Sequence, residues 1–172
     1  MGGMTLAYLV QHGEKEPLPG DPGLTGTGRR QATRTGRWLR RAGVRGLCTS
    51  PMRRARETAD CIASVTGLAV QADARLVERM NWDGSLPLDA FLAAWAHTMQ
   101  DRDWVPADGE SSRQAGARLQ EFLAGLPAAP GPSRSSPTAE SPSICCATCS
   151  AMRPCPRTCW LQAQPLPPET GQ

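Results

Sequence analysis

Histidine is nearly absent from this chain: of 172 residues only His12 and His97 carry an imidazole. Lysine is scarcer still, with Lys15 the one lysine among 19 basic residues, the rest being arginine. A net charge of +3 is too small to call for nucleic acid on its own. The arginine-bearing stretch Arg29–Arg45 has nothing groove-fitting beside it, so no nucleic-acid partner is expected. No run approaches the roughly 18 apolar residues that cross a bilayer. The opening MGGMTLAYLV lacks the basic start and apolar length of an export signal, so no membrane partner and a cytoplasmic location are expected. The seven cysteines are unevenly placed, with Cys48 and Cys61 early and five crowded between Cys145 and Cys159. A secreted disulfide framework would spread its cysteines through the domain.

What is present is an alternation of apolar runs and helical patterns up to about Leu126. Thr5–Val10 reads as a short buried strand, Leu47–Thr49 as a second and Val70–Ala72 as a third. Leu24–Ala42 has helical periodicity in Ala32, Thr35, Leu39 and Ala42, with Thr25 placed to cap it. Ser50-Pro51 predicts another helix start, with serine at the cap and proline at the first position, running to about Val65. Leu88–Met99 and Ser112–Leu126 also have helical patterns. Strands alternating with helices imply an α/β fold, a three-layer, mostly parallel sheet with helices on both faces. After Pro127 the chain is dense in Pro, Ser and Cys and has no period of 3.6 or 2. Residues 1–127 are therefore expected to form the core, and residues 128–172 a tail that composition assigns to disorder.

Ligands of parallel α/β sheets sit beyond the carboxyl ends of the strands. Gln11-His12-Gly13 stands there after the first strand, with Gly13 free to turn sharply and approach a ligand. After the second strand, TSPMRRARETA opens a helix whose free N–H groups and nearby Arg53, Arg54 and Arg56 suit a phosphate. Glu78 follows the third strand and could supply a proton from the rim. Taken singly, each has a plainer reading: a turn histidine, a solvated basic helix face, a surface carboxylate.

Together with GDPGLTGTGRRQA and DGESSRQAGARLQEFLAGL, these segments make an ordered set over residues 4–126. That set resembles the histidine phosphatase superfamily, also called phosphoglycerate mutase-like. The resemblance implies a phosphomonoester hydrolase. His12 would be the nucleophile that carries the phosphoryl group, and Glu78 the acid and base. Gln11, Gly13, Arg54 and Thr25 would bind phosphate. It implies a small phosphorylated metabolite as substrate and no cofactor or metal. The outer loops Leu18–Gly23 and Asn81–Trp104 would choose the substrate, with Trp82, Trp95 and Trp104 as candidate walls and core packing expected of Trp95.

The chain departs from the family pattern twice. Gln11 stands where the family has arginine, and glutamine brings neither charge nor a guanidinium fork. The family also carries a second histidine after a late buried strand, ten to twenty residues beyond the position of Leu126, and none occurs there. His97 falls too early, inside a helical pattern. Reading from the third base of each codon, Ser136–Ala147 permits the peptide THGGVTVDLLR, the family's missing motif. A reading-frame shift between about Leu126 and Ser135 would produce this. It would also explain the late cysteines more simply than a zinc or redox site at Cys146-x-x-Cys149. On this reading the fold lacks its late strand and helix, the first strand is left with an open edge, and activity is impaired. A non-catalytic phosphate-binding protein on the same fold is the alternative.

Overall fold

A computed structural model of the chain describes residues 6–127 and the strand at residues 143–146. Its elements, in chain order, are β1 (Ala7–Leu9), α1 (Gly26–Arg41), β2 (Leu47–Thr49), α2 (Arg53–Thr66), β3 (Val70–Ala72), a 3-10 turn (Ala74–Leu76), α3 (Leu88–Gln100), α4 (Ser112–Ala124) and β4 (Ser143–Cys146). The four strands form one sheet in the order β1-β4-β2-β3, and every pairing is parallel. β2 and β3 fall where the apolar runs put them, and the helices agree to within a few residues.

Local chemistry explains the boundaries. α1 starts because the Thr25 hydroxyl accepts the Gly28 N–H at 3.0 Å. α2 stops at Gly67, whose φ of 76° is the left-handed conformation that glycine adopts without a Cβ penalty. α4 carries a full capping box: Ser111 accepts from Gln114 N, and the Gln114 side chain accepts from Ser111 N.

The start of α2 corrects the sequence expectation. The cap position is Met52, with no side-chain cap of its own, and Ser50 only accepts from Met52 N at 3.2 Å. The capping group is Asp21, 32 residues upstream, whose two carboxylate oxygens accept from Arg53 N at 2.9 and 2.8 Å. A carboxylate at a helix amino end satisfies orphan donors and complements the dipole. It also means that a protein anion, rather than an open amide, occupies this helix start.

The core sits against the sheet. Leu39 of α1, Leu47 of β2, and Ala59 and Ile62 of α2 form one buried cluster, with Tyr8 and Val70 packed on it. Gly36 lets α1 and α2 approach closely, since a Cβ there would lie 3.1 Å from the Ile62 Cα. Leu76, Leu119 and Phe122 form a second cluster that includes Cys48. Leu47 and Cys48 are adjacent in β2 yet join different clusters, as strand alternation requires. The sheet is thus flanked by helices.

The second correction concerns the missing strand. β4 fills the slot between β1 and β2, with Tyr8 and Leu47 both in register with Ile144. β1 therefore does not face an empty position on that side. Composition hid this strand because a central strand of four residues needs only a short β-branched and apolar stretch, here Ser-Ile-Cys-Cys. Residues 128–142 and 147–172 lie outside the described residues, as do the expectations of disorder, of a shifted frame and of a Cys-x-x-Cys site.

Proline at a central strand position removes a ladder donor and leaves a buried carbonyl without its partner. Ile144→Pro is therefore expected to lower unfolding stability by about 1–3 kcal/mol, read from the denaturant midpoint. An unchanged midpoint would remove β4 from the sheet.

Candidate active site

His12 follows β1 in a loop held from two sides. Gly13 N donates to the Thr58 hydroxyl at 3.1 Å. A Cβ on Gly13 would meet the Gly28 carbonyl oxygen at 2.5 Å, so only glycine fits against the start of α1. The imidazole Nδ1 lies 2.6 Å from the Gly13 carbonyl. A carbonyl can only accept, so Nδ1 carries the hydrogen and Nε2 of the neutral ring has its lone pair free.

That free nitrogen points at a carboxylate: Nε2 is 3.6 Å from Glu78 Oε1. Glu78 in turn binds Arg54, with Nη2 to Oε2 at 2.8 Å and Nε to Oε1 at 3.3 Å. The Arg54 side chain is 0 % exposed, against 13 % for His12 and 14 % for Glu78. Such a buried guanidinium needs anions and acceptors on every side. Asn81 Oδ1 accepts from Nη2 at 3.1 Å and Asp21 Oδ1 from Nη1 at 3.4 Å. Burial holds the His12 imidazole below the ordinary histidine range. The Gly13 carbonyl and Glu78 pull it upward, while the positive charges of Arg54 and Lys15 push it down again.

Glu78 is aimed from behind by residues that the sequence left unread. Glu110 binds Arg118, Nη2 to Oε2 at 2.5 Å, and Arg118 Nη1 donates to the carbonyls of Arg75 at 2.6 Å and Val77 at 3.1 Å. Those carbonyls belong to the stretch that delivers Glu78. Gly109 has a φ of 141°, and a Cβ there would strike the Arg79 carbonyl at 2.4 Å, so the turn lies tight against the same stretch.

The front of the site is a cleft of about 180 Å³, lined by Arg54, Glu78, Lys15 and Asn81 together with Met80, Trp82, Leu88, Phe91 and Trp95. Two loops meet over it: Gly20 N donates to the Trp82 carbonyl at 2.8 Å, and Asn81 Nδ2 donates to the Gly20 carbonyl at 2.9 Å.

The structure brings His12, Arg54 and Glu78 together, with the Gly13 backbone as their support. Gln11 is exposed and makes no hydrogen bond to the other three. Thr25 is used elsewhere, its hydroxyl donating to Glu14 Oε1 at 2.7 Å while capping α1. His97 lies in α3 and stacks on Trp104, ring centroids 4.4 Å apart, which takes Trp104 away from the cleft. Trp95, read as core, lines the cleft instead. Asp21 and Asn81 carried no distance-independent signal, because their meaning comes from a guanidinium many residues away.

The family model described as the histidine phosphatase superfamily, branch 1, matches residues 7–159. The chain belongs to that superfamily. A probable phosphoglycerate mutase GpmB of Klebsiella pneumoniae is 42 % identical over 82 residues, covering 44 % of this chain and 38 % of that protein. The GpmB of Erwinia tasmaniensis is 31 % identical over 134 residues, covering 70 % of this chain and 62 % of that protein. The chain thus spans 38 % to 62 % of the length of these curated relatives. Among solved structures, a mycobacterial glucosyl-3-phosphoglycerate phosphatase superposes with a TM-score of 0.66 at 28 % identity, covering 81 % of this chain and 71 % of that one. The same phosphatase with inorganic phosphate gives 0.64 at 27 %, covering 81 % and 70 %.

The depressed imidazole has a measurable consequence. The unfolded chain, with its ordinary histidine near pH 6.5, binds the proton more readily than the folded one. Stability contributed by His12 is therefore full above about pH 6.5 and falls as pH drops toward the folded value. Ring proton shifts in NMR should titrate below the ordinary histidine midpoint, with Nδ1–H the neutral tautomer. A midpoint at or above the ordinary value would contradict the burial described.

Proposed function

We propose that the chain is a phosphomonoester hydrolase of the histidine phosphatase type, built on the three-layer fold of its family and working through a phosphohistidine at His12. The observation that carries this reading is the Nε2 of His12 set against Glu78 and the buried Arg54. The lone pair of Nε2 attacks phosphorus, the P–O ester bond breaks, and the leaving oxygen takes its proton from Glu78. Water then attacks phosphorus, returns a proton to Glu78 and releases phosphate together with the neutral imidazole.

Glu78 sits on Arg54, where phosphoryl oxygens would bind. A phosphate competing for Nη2 displaces the carboxylate, and the substrate, bound as its monoanion, hands its proton to the released Glu78, so binding the substrate and arming the acid are one event. Arg54 then stabilises the charge that develops on the equatorial oxygens. Gln11 supplies no charge for this, and the loss of one charge-assisted contact of ~1.5–3 kcal/mol slows the chemistry roughly ten- to a hundredfold. Lys15, which lines the same cleft, is the cation available to offset that loss. With no second histidine beyond His97, turnover is expected to be slow.

Labelling with a ³²P phosphoryl donor tests the reading. One acid-labile equivalent is expected on the wild-type chain and on His97→Ala, and none on His12→Ala. Arg54→Ala should slow labelling by roughly 10²–10³-fold and Lys15→Ala by about tenfold. Label persisting in His12→Ala, or absent from the wild type, refutes it.

We also attribute the departure after Leu126 to a reading-frame shift. Sequencing the gene across codons 120–145 decides the matter. An insertion or deletion that restores Thr-His-Gly-Gly supports the shift. A clean frame supports the alternative, a phosphate-binding protein on the same fold.

A further inference from the structure

A cleft beside a phosphate site needs walls that suit whatever the phosphate is attached to. Here the wall is apolar and ring-rich: Met80, Trp82, Leu88, Phe91 and Trp95 stand next to Arg54 and Glu78. Two of these rings are held in place. The Trp82 indole N–H donates to the Leu86 carbonyl at 2.8 Å, which fixes the ring and uses its only donor. Trp95 has the Arg79 guanidinium 4.1 Å from its centroid on one face, leaving a single face for other contacts. Phe91 leans on Trp95 with centroids 6.3 Å apart and planes tilted by 41°.

Such a wall offers few polar partners for a polyhydroxy leaving group. The indole N–H of Trp82 is spent, and the remaining polar side-chain atoms of the lining belong to Arg54, Glu78, Lys15, Asn81 and the Trp95 indole N–H. Asn81 is committed as well, accepting from Arg54 and donating to the Gly20 carbonyl. A sugar or glycerate held here would lose more water contacts than Lys15 and the Trp95 N–H replace, a cost of about 1–3 kcal/mol for each group left unpaired. A flat apolar ring loses nothing of that kind and gains contact area with Trp82, Phe91 and Trp95. The size agrees, since a cavity of about 150 Å³ holds a benzene ring and this cleft measures about 180 Å³.

We infer that this cleft selects phosphomonoesters whose leaving group is a single aromatic ring, read by Trp82 and Phe91 while Arg54 holds the phosphate. The inference rests on the phosphate site proposed above, but it concerns binding and not turnover.

Calorimetric titration of the full chain with phenyl phosphate, glycerol 1-phosphate and inorganic phosphate tests it. Phenyl phosphate should bind about tenfold tighter than glycerol 1-phosphate. That preference should fall below about threefold in Trp82→Ala and in Phe91→Ala, with inorganic phosphate affinity kept. Circular dichroism checks that each variant is folded, and the wild-type preference decides even where a variant is not. His12→Ala should keep the preference, so this result and the labelling result fail independently. Equal affinities for the two esters would overturn the inference and leave the phosphate site standing. Binding of none of the three would remove the phosphate site and the inference with it.

Discussion

Arg54 is a full positive charge with no solvent exposure, and much of the chain is arranged to make that tolerable. An unpaired buried guanidinium is costly enough that removing one partner of such a pair destabilises by about 3–5 kcal/mol. Its partners arrive from three places: Asp21 from the loop before α1, Glu78 after the 3-10 turn, and Asn81 three residues later. Asp21 also caps α2, the helix that carries Arg54. One carboxylate therefore fixes both the backbone start and the side-chain head of the same residue. The loops over the cleft are then tied to each other through Gly20, Asn81 and Trp82. The proposed phosphate site and the walls around it are in this sense a consequence of neutralising one arginine.

The same dependence separates what the sequence could reveal from what it could not. Periodicity located β2 and β3 and the bodies of all four helices, because those elements are decided by which faces are apolar. Thr25 was legible as a backbone device, since a cap is set by neighbours within three residues, whereas the need for glycine at position 13 comes from the Gly28 carbonyl packed against it across the loop. The trio His12, Arg54 and Glu78 was legible through the ordered family motifs. The cap of α2 was not. Ser50-Pro51 has the right local chemistry, yet a carboxylate from residue 21 takes the amides and delays the helix to Arg53. β4 was hidden for the opposite reason: its four residues have no local signal, and only two waiting strand edges give them a role. Trp95 was misread because a tryptophan in a helix packs into a core more often than it lines a cleft. Here Arg79 takes one of its faces, and the ring still lines the cleft.

Charge balance around the cleft links the departures at Gln11 to the nature of the walls. Two cations, Arg54 and Lys15, stand with two carboxylates, Glu78 and Asp21, so these side chains sum to near neutrality. An arginine in place of Gln11 would add a surplus charge for an incoming phosphate; glutamine does not. In the proposed mechanism, phosphate binding then draws on the displacement of Glu78 from Arg54, an exchange of one anion for another with a modest net gain. A site that grips the phosphate less firmly depends more on the rest of the substrate, because binding energy from non-reacting parts is what holds the reacting bond in place. Trp82, Phe91 and Met80 lie where that contribution can be made. In the proposed reading, the loss of a guanidinium next to His12 in the chain and the apolar wall beside Arg54 and Glu78 are two halves of one redistribution, from the phosphate toward the leaving group.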